Sequence, residues 1–188
     1  MSLEKISAQL NNINKLTEGK TKKLPPIESW NPPYCGEIDL QVKRNGDWFS
    51  GGTVFKRISL VKLFASVLLR EVKGDRDEYF LVTPVEKVKI TVEDAPFVLT
   101  QWAWLDDTKS TMTVSTHLDD EFVLDENHPL TINANGELYV VVRRNLLAKV
   151  HRNIYYQWAD LAKEVVTEKG SELMFSSAGH QFSLGMLD

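Results

Sequence analysis

Cysteine is almost absent: Cys35 is the only one in 188 residues. A disulfide within the chain is therefore excluded, and so is a cysteine-rich zinc site. An excess of basic charge is also missing. Lys and Arg number 22 against 26 Asp and Glu, for a net charge of −4, which leaves no positive field to recruit nucleic-acid phosphates. No run of about 18 apolar residues occurs, so no membrane-spanning helix is expected. The N-terminus carries Glu4 and several Asn and Gln in place of an apolar signal-peptide core, and a cytoplasmic location is the expectation. Catalytic signatures are missing too: there is no Gly-x-Ser-x-Gly, no phosphate-cradling glycine loop and no dinucleotide fingerprint. Neither nucleic acid nor a membrane is expected as a partner, and no cofactor, metal or catalytic residue is assigned.

What remains is ordinary globular material, 43% apolar and 26% charged, enough for a real core. Residues 3–16 place Leu3, Ile6, Leu10, Ile13 and Leu16 on one stripe of a helix, which must dock on the body or on a second copy. Residues 17–23 read as a linker whose Lys20, Lys22 and Lys23 are solvated. Residues 25–36 hold four of the seven prolines, Pro25, Pro26, Pro32 and Pro33. Fixed φ angles and the restricted residues before them predict an extended, ordered strap with Trp30 and Tyr34 on its apolar face.

The rest alternates short strands with two helices. Asn45-Gly46 predicts a tight hairpin between strands at 37–42 and 48–49. A third strand at 53–55 leads into a helix at 57–70, followed by strands at 79–83 and 85–92. Strands at 97–105, 111–116 and 122–124 come next. Then Asn135-Gly136-Glu137-Leu138-Tyr139 echoes Asn45-Gly46-Asp47-Trp48-Phe49, between strands at 130–132 and 138–142. A strand at 146–150 feeds a second helix at 152–167, and 173–176 and 180–184 close the chain. Phe55-Lys56-Arg57 before the first helix is matched by Val150-His151-Arg152 before the second. The reading is an α+β fold of two similar, mostly antiparallel strand-and-helix motifs packed together. The divisions are 1–23 for the helix and linker, 24–93 for the first motif, 94–127 for connecting strands and 128–188 for the second motif.

Two features suggest a ligand cleft between the motifs. Arg57 and Arg152 open their helices, where a cation opposes the helix dipole. Either an acid such as Asp39, Glu93 or Asp94 holds each arginine, or both face a bound carboxylate or phosphate. Thr83, Glu86, Glu93 and Asp94 lie in proline-braced loops and are placed at the cleft rim, with Trp30 as a lid. Cys35 would need His128, His151 or His180 as its base, and no spacing favours that. The acidic stretch from His117 to His128 fits neither a calcium loop nor a His-Glu-x-x-His helix, and reads as solvated. Trp102 and Trp104 share one strand face and suit a core or a subunit interface better than a base-stacking platform.

Several long segments carry a resemblance. Residues 25–39, Leu81-Val82-Thr83-Pro84-Val85-Glu86-Lys87, Val92-Glu93-Asp94-Ala95-Pro96-Phe97 and His128-Pro129-Leu130 resemble the bacterial family of domain of unknown function 1285. The likeness spans about residues 24–187. It implies an α+β protein of two similar motifs with a cleft between them and a part in signalling through a small ligand, and it implies no catalytic residues. Residues 176–182 lack the proline and acid of 83–86, so a symmetrical cleft is not implied. The function expected is a non-catalytic binding or sensing module for a small anionic ligand. The alternative is a protein-interaction module that forms homodimers through the 3–16 stripe or Trp102 and Trp104. A hydrolase ranks last.

Overall fold

The computed structural model describes residues 3–17, 24–74, 76–168 and 170–187, the side chains of 13–17 excepted. The linker lysines Lys20, Lys22 and Lys23 lie outside the described residues. The chain divides into two compact units, Met1–Asp94 and Ala95–Asp188.

In the first unit, α1 (Leu3–Thr17) lies against α2 (Ile58–Ser66). Its stripe is used in cis: Ile6 and Leu10 are buried. The extended strap expected over residues 25–36 is interrupted at 27–29, and 34–36 belong to a strand. Pro25 and Pro26 offer carbonyls to Ile27 and Ser29, and Ile27–Ser29 closes a single 3-10 turn with Ile27 in the core. The strands are β1 (Tyr34–Val42), β2 (Trp48–Ser50), β3 (Thr53–Val54), β4 (Leu68–Lys73), β5 (Arg76–Val82) and β6 (Lys87–Val92). They form one sheet in the order β3-β2-β1-β6-β5-β4. Each set of three is an antiparallel meander, and the two meanders join where β1 and β6 run parallel. Trp48 stacks on Phe64, which anchors α2 to the sheet.

The second unit repeats this connectivity. Strands β7 (Phe97–Trp104), β8 (Met112–Thr116), β9 (Glu121–Val123), β10 (Leu130–Ile132), β11 (Leu138–Arg143) and β12 (Leu146–Val150) are ordered β9-β8-β7-β12-β11-β10, with β7 and β12 the parallel pair. The strands of 97–123, read from sequence as connectors, are therefore half of this sheet. After β12 come α3 (Arg152–Leu161) and a separate meander of β13 (Lys163–Thr167), β14 (Gly170–Ser177) and β15 (His180–Met186). Trp158 of α3 and Phe175 and Phe182 of this meander form one aromatic cluster, all buried.

The repeat is thus real but paired differently from the sequence match. As local order, meander–helix–meander does occur twice, at β1–β6 and at β10–β15. In the sheets, however, Asn45-Gly46 joins the first and second strands whereas Asn135-Gly136 joins the fourth and fifth. The helix α2 follows the third strand and α3 follows the sixth. Arg57 and Arg152 consequently hold different places in the two sheets.

Both helices end earlier than their apolar patterns predict. Residues 68–73 pair with β5 in unbroken register from Leu68↔Leu81 to Lys73↔Arg76, and 163–167 pair with β14 in the same way. A hydrophobic run that suits a helix also suits a strand, and the partner strand decides.

Candidate functional site

The first unit separates the residues that the sequence grouped. Thr83 and Glu86 form the β5–β6 turn. The Thr83 backbone N–H donates to the Glu86 carbonyl at 2.9 Å, and the Thr83 hydroxyl oxygen accepts from the Glu86 N–H at 3.1 Å. Both residues are buried. Glu93 and Asp94 lie beyond the other end of β6, a strand of six residues, or roughly 20 Å away. There Lys43 donates to Glu93 at 2.7 Å and the Arg44 backbone N–H at 3.2 Å. The Lys43 ammonium, bonded to Glu93, holds that carboxyl below its usual range.

Arg57 leaves β3 at the Glu93 end, because β3, β1 and β6 all point the same way. Its side chain is exposed, with no ion pair among the described residues. Two of the three acids expected to hold it are engaged elsewhere: Asp39 accepts from the Gly51 N–H at 2.9 Å, and Glu93 pairs with Lys43. Trp30 is half-buried beside the 3-10 turn. Cys35 is exposed on β1, and its thiol donates to the Pro33 carbonyl at 3.3 Å. All four histidines belong to the other unit.

In the second unit the residues converge. Parallel pairing of β12 with β7 carries past the strand end, where the His151 N–H donates to the Leu99 carbonyl at 3.1 Å. The first turns of α3 are thereby set beside Thr100, Gln101 and Trp102. The result is a groove of about 500 Å³ lined by these three residues with His151, Asn153, Ile154 and Gln157. Trp102 Nε1 donates to Gln157 Oε1 at 2.7 Å, and Trp104 meets the Trp102 ring edge-on at a centroid distance of 5.5 Å.

His151 caps α3. Its Nδ1 accepts from the Asn153 N–H at 3.3 Å, so the neutral ring carries its proton on Nε2. Arg152 stands between two lining residues in sequence. Among the described residues it finds no acid: its Nε donates to the Tyr156 hydroxyl at 2.9 Å, with the guanidinium 5.5 Å from that ring's centroid.

The acidic stretch of 117–128 is structural. His117 Nδ1 accepts from the Val98 N–H, Asp120 pairs with Arg143, and His128 stacks on Phe122. Among the described residues no three His, Cys, Asp or Glu side chains gather as a metal site, and no helix is long and apolar enough to cross a membrane.

Sequence reasoning singled out Trp102, Arg152 and His151 but gave them unrelated roles. It missed Thr100, Gln101, Asn153 and Gln157. Polar residues on an exposed strand and helix face carry no periodic signal, and only the β7–β12 pairing brings them together.

Comparison with known proteins places the whole body of the chain. Residues 25–95 match the family model "Domain of unknown function (DUF1285), N-terminal domain", and residues 96–184 match "Protein of unknown function (DUF1285), C-terminal domain". The chain is similar to a crystal structure of a DUF1285 family protein from Silicibacter pomeroyi DSS-3, with 34% identity and a TM-score of 0.75, covering 93% of this chain and 94% of that one. It is also similar to one from Shewanella baltica OS155, with 31% identity and a TM-score of 0.52, covering 65% of this chain and 91% of that one. No curated protein matches.

Proposed function

The chain belongs to the DUF1285 family in both of its domains, and we propose that it is a non-catalytic module that binds a small anionic ligand in the β7–α3 groove and acts as a sensor. The observation that carries this reading is the groove itself: about 500 Å³, walled on one side by Trp102 and on the other by His151, Asn153 and Gln157. A volume of that order suits a metabolite, and an aromatic wall with a few polar groups is the usual make-up of such a site. The lining includes no carboxylate. Its His151 Nε2–H and the amide N–H groups of Gln101, Asn153 and Gln157 are donors. Donors without competing acceptors of negative charge favour a carboxylate or a phosphate ester. The reading as a non-enzyme rests on the missing catalytic signatures of the sequence and on Cys35, which has no histidine in its own unit.

Thermal-shift and calorimetric screening of the full chain against small carboxylates and phosphate esters tests this. A stabilising ligand is expected, and its effect is expected to vanish in Trp102→Ala and weaken in His151→Ala. A panel without any shift, or a shift that survives both substitutions, would remove the groove as the site.

Dimerisation is the second reading. Leu105, 60% exposed at the end of β7 beside Trp104, favours it. Light scattering over a concentration series that stays at monomer mass would set it aside.

A further inference from the structure

One acidic group in the first unit contradicts the strand on which it is placed. Along β6, Lys87 reaches Glu71 and covers the Phe80 ring at 4.2 Å, and Lys89 reaches Glu78. These lysines share the charged face of the sheet. Val88 and Ile90 alternate to the other face and are buried. Glu86, one residue before β6, falls in phase with Val88 and Ile90. Its side chain therefore takes the apolar side, and the residue is only 4% exposed.

Among the described residues the Glu86 carboxylate has no partner there. Oε1 is buried without a hydrogen bond; among the described residues nothing donates to Oε2 either, and that oxygen is not fully enclosed. The nearby hydroxyl of Thr83 is committed to the turn, accepting from the Glu86 N–H and facing the Glu86 carbonyl at 3.3 Å. A buried polar atom left unpaired is strongly unfavourable, most of all when it can carry charge. A sequence that keeps such a group in a hydrogen-bonded turn, in phase with the buried Val88 and Ile90, holds it for a task other than folding.

We infer that Glu86 is the anchor of a second binding site, which takes the primary ammonium or guanidinium group of a small amine. A carboxylate only accepts hydrogen bonds, so its ligand must donate. Burial favours a donor that also brings positive charge, because that offsets the cost of desolvating the carboxylate. The anion expected at the groove of the second unit is the wrong sign for this position. A metal ion is disfavoured because no three potential ligand side chains gather among the described residues.

The test uses the full chain with methylammonium, putrescine and agmatine as probes, followed by thermal unfolding and calorimetry. At least one probe is expected to raise the unfolding midpoint of the wild type. Glu86→Gln, which keeps the shape and removes the charge, is expected to weaken that binding by at least about tenfold. Glu86→Leu, without any probe, is expected to unfold at a higher temperature than the wild type. Should Glu86→Gln fail to fold, Glu86→Asp keeps the charge one methylene short and is expected to bind more weakly. The inference is overturned if none of the three amines shifts the wild type. Equal binding by the wild type and the Gln or Asp variant, or a lower midpoint for Glu86→Leu, overturns it as well. Because Glu86 and the β7–α3 groove belong to different units, Trp102→Ala is expected to leave amine binding intact, and the two sites fail or stand separately.

Discussion

Trp102 Nε1 donates to Gln157 Oε1 at 2.7 Å, a bond between residues 55 apart in sequence that ties the middle of β7 to the second turn of α3. The bond fixes the indole as a wall of the groove. Both side chains touch solvent, so its net worth to the fold is small. Gln157→Ala is expected to cost about 0.5–1.5 kcal/mol in urea unfolding. The same change is expected to weaken any groove ligand more than it weakens the fold.

The two helix-opening arginines are expected to matter little for stability. Arg57 is exposed and without an ion pair among the described residues, and Arg57→Ala is expected to fall within about 0.5 kcal/mol of the wild type in chemical unfolding. Arg152→Ala loses the Tyr156 contact on an exposed helix face and is expected to be similarly mild. A loss above about 2 kcal/mol for either would mark it as a structural residue.

Trp158 separates the value of an aromatic ring from that of its N–H. The side chain is fully buried against Phe175, yet Nε1 has no acceptor among the described residues. Trp158→Phe removes an unpaired donor and keeps most of the ring, so a cost below about 1.5 kcal/mol is expected. Trp158→Ala opens a cavity and is expected to cost about 3–5 kcal/mol. Equal costs for the two, measured by denaturant titration, would show that the N–H is bonded in solution.

Acid stability has a defined origin at the Asn135-Gly136 hairpin. The bonded Lys149 ammonium, then the Asn133 amide, hold the Glu137 carboxyl down to about 2 from the ordinary 4.5. A depressed folded-state value stabilises the fold fully above pH 4.5, and that contribution is lost as pH falls from 4.5 toward 2. Glu137→Gln is expected to flatten the stability profile in that window and to leave its shape above pH 5 unchanged. The pair is partly solvated, so the effect is modest and shrinks further with salt.

How much of this was legible beforehand can be argued from particular residues. The Asn45-Gly46 and Asn135-Gly136 hairpins, the alternation of β6 and the apolar stripe of α1 are local signals, and each formed the element it announced. The helix ends were not legible, because Leu68 and Leu69 fit a helix as well as a strand until β5 lies beside them. Nor was the site. Arg57 and Arg152 looked equivalent only because a hairpin and a helix surround each.

The sequence by itself determined the family, the α+β class and the presence of a repeat, since turn chemistry and hydrophobic period act over a few residues at a time. Only the tertiary structure decided which strands pair. The parallel joins β1–β6 and β7–β12 link segments far apart in the chain, and no local propensity encodes a partner at that distance. Those joins set the register of the repeat and bring Trp102 to Gln157. The alternation along β6 in turn leaves Glu86 Oε1 buried without a partner among the described residues.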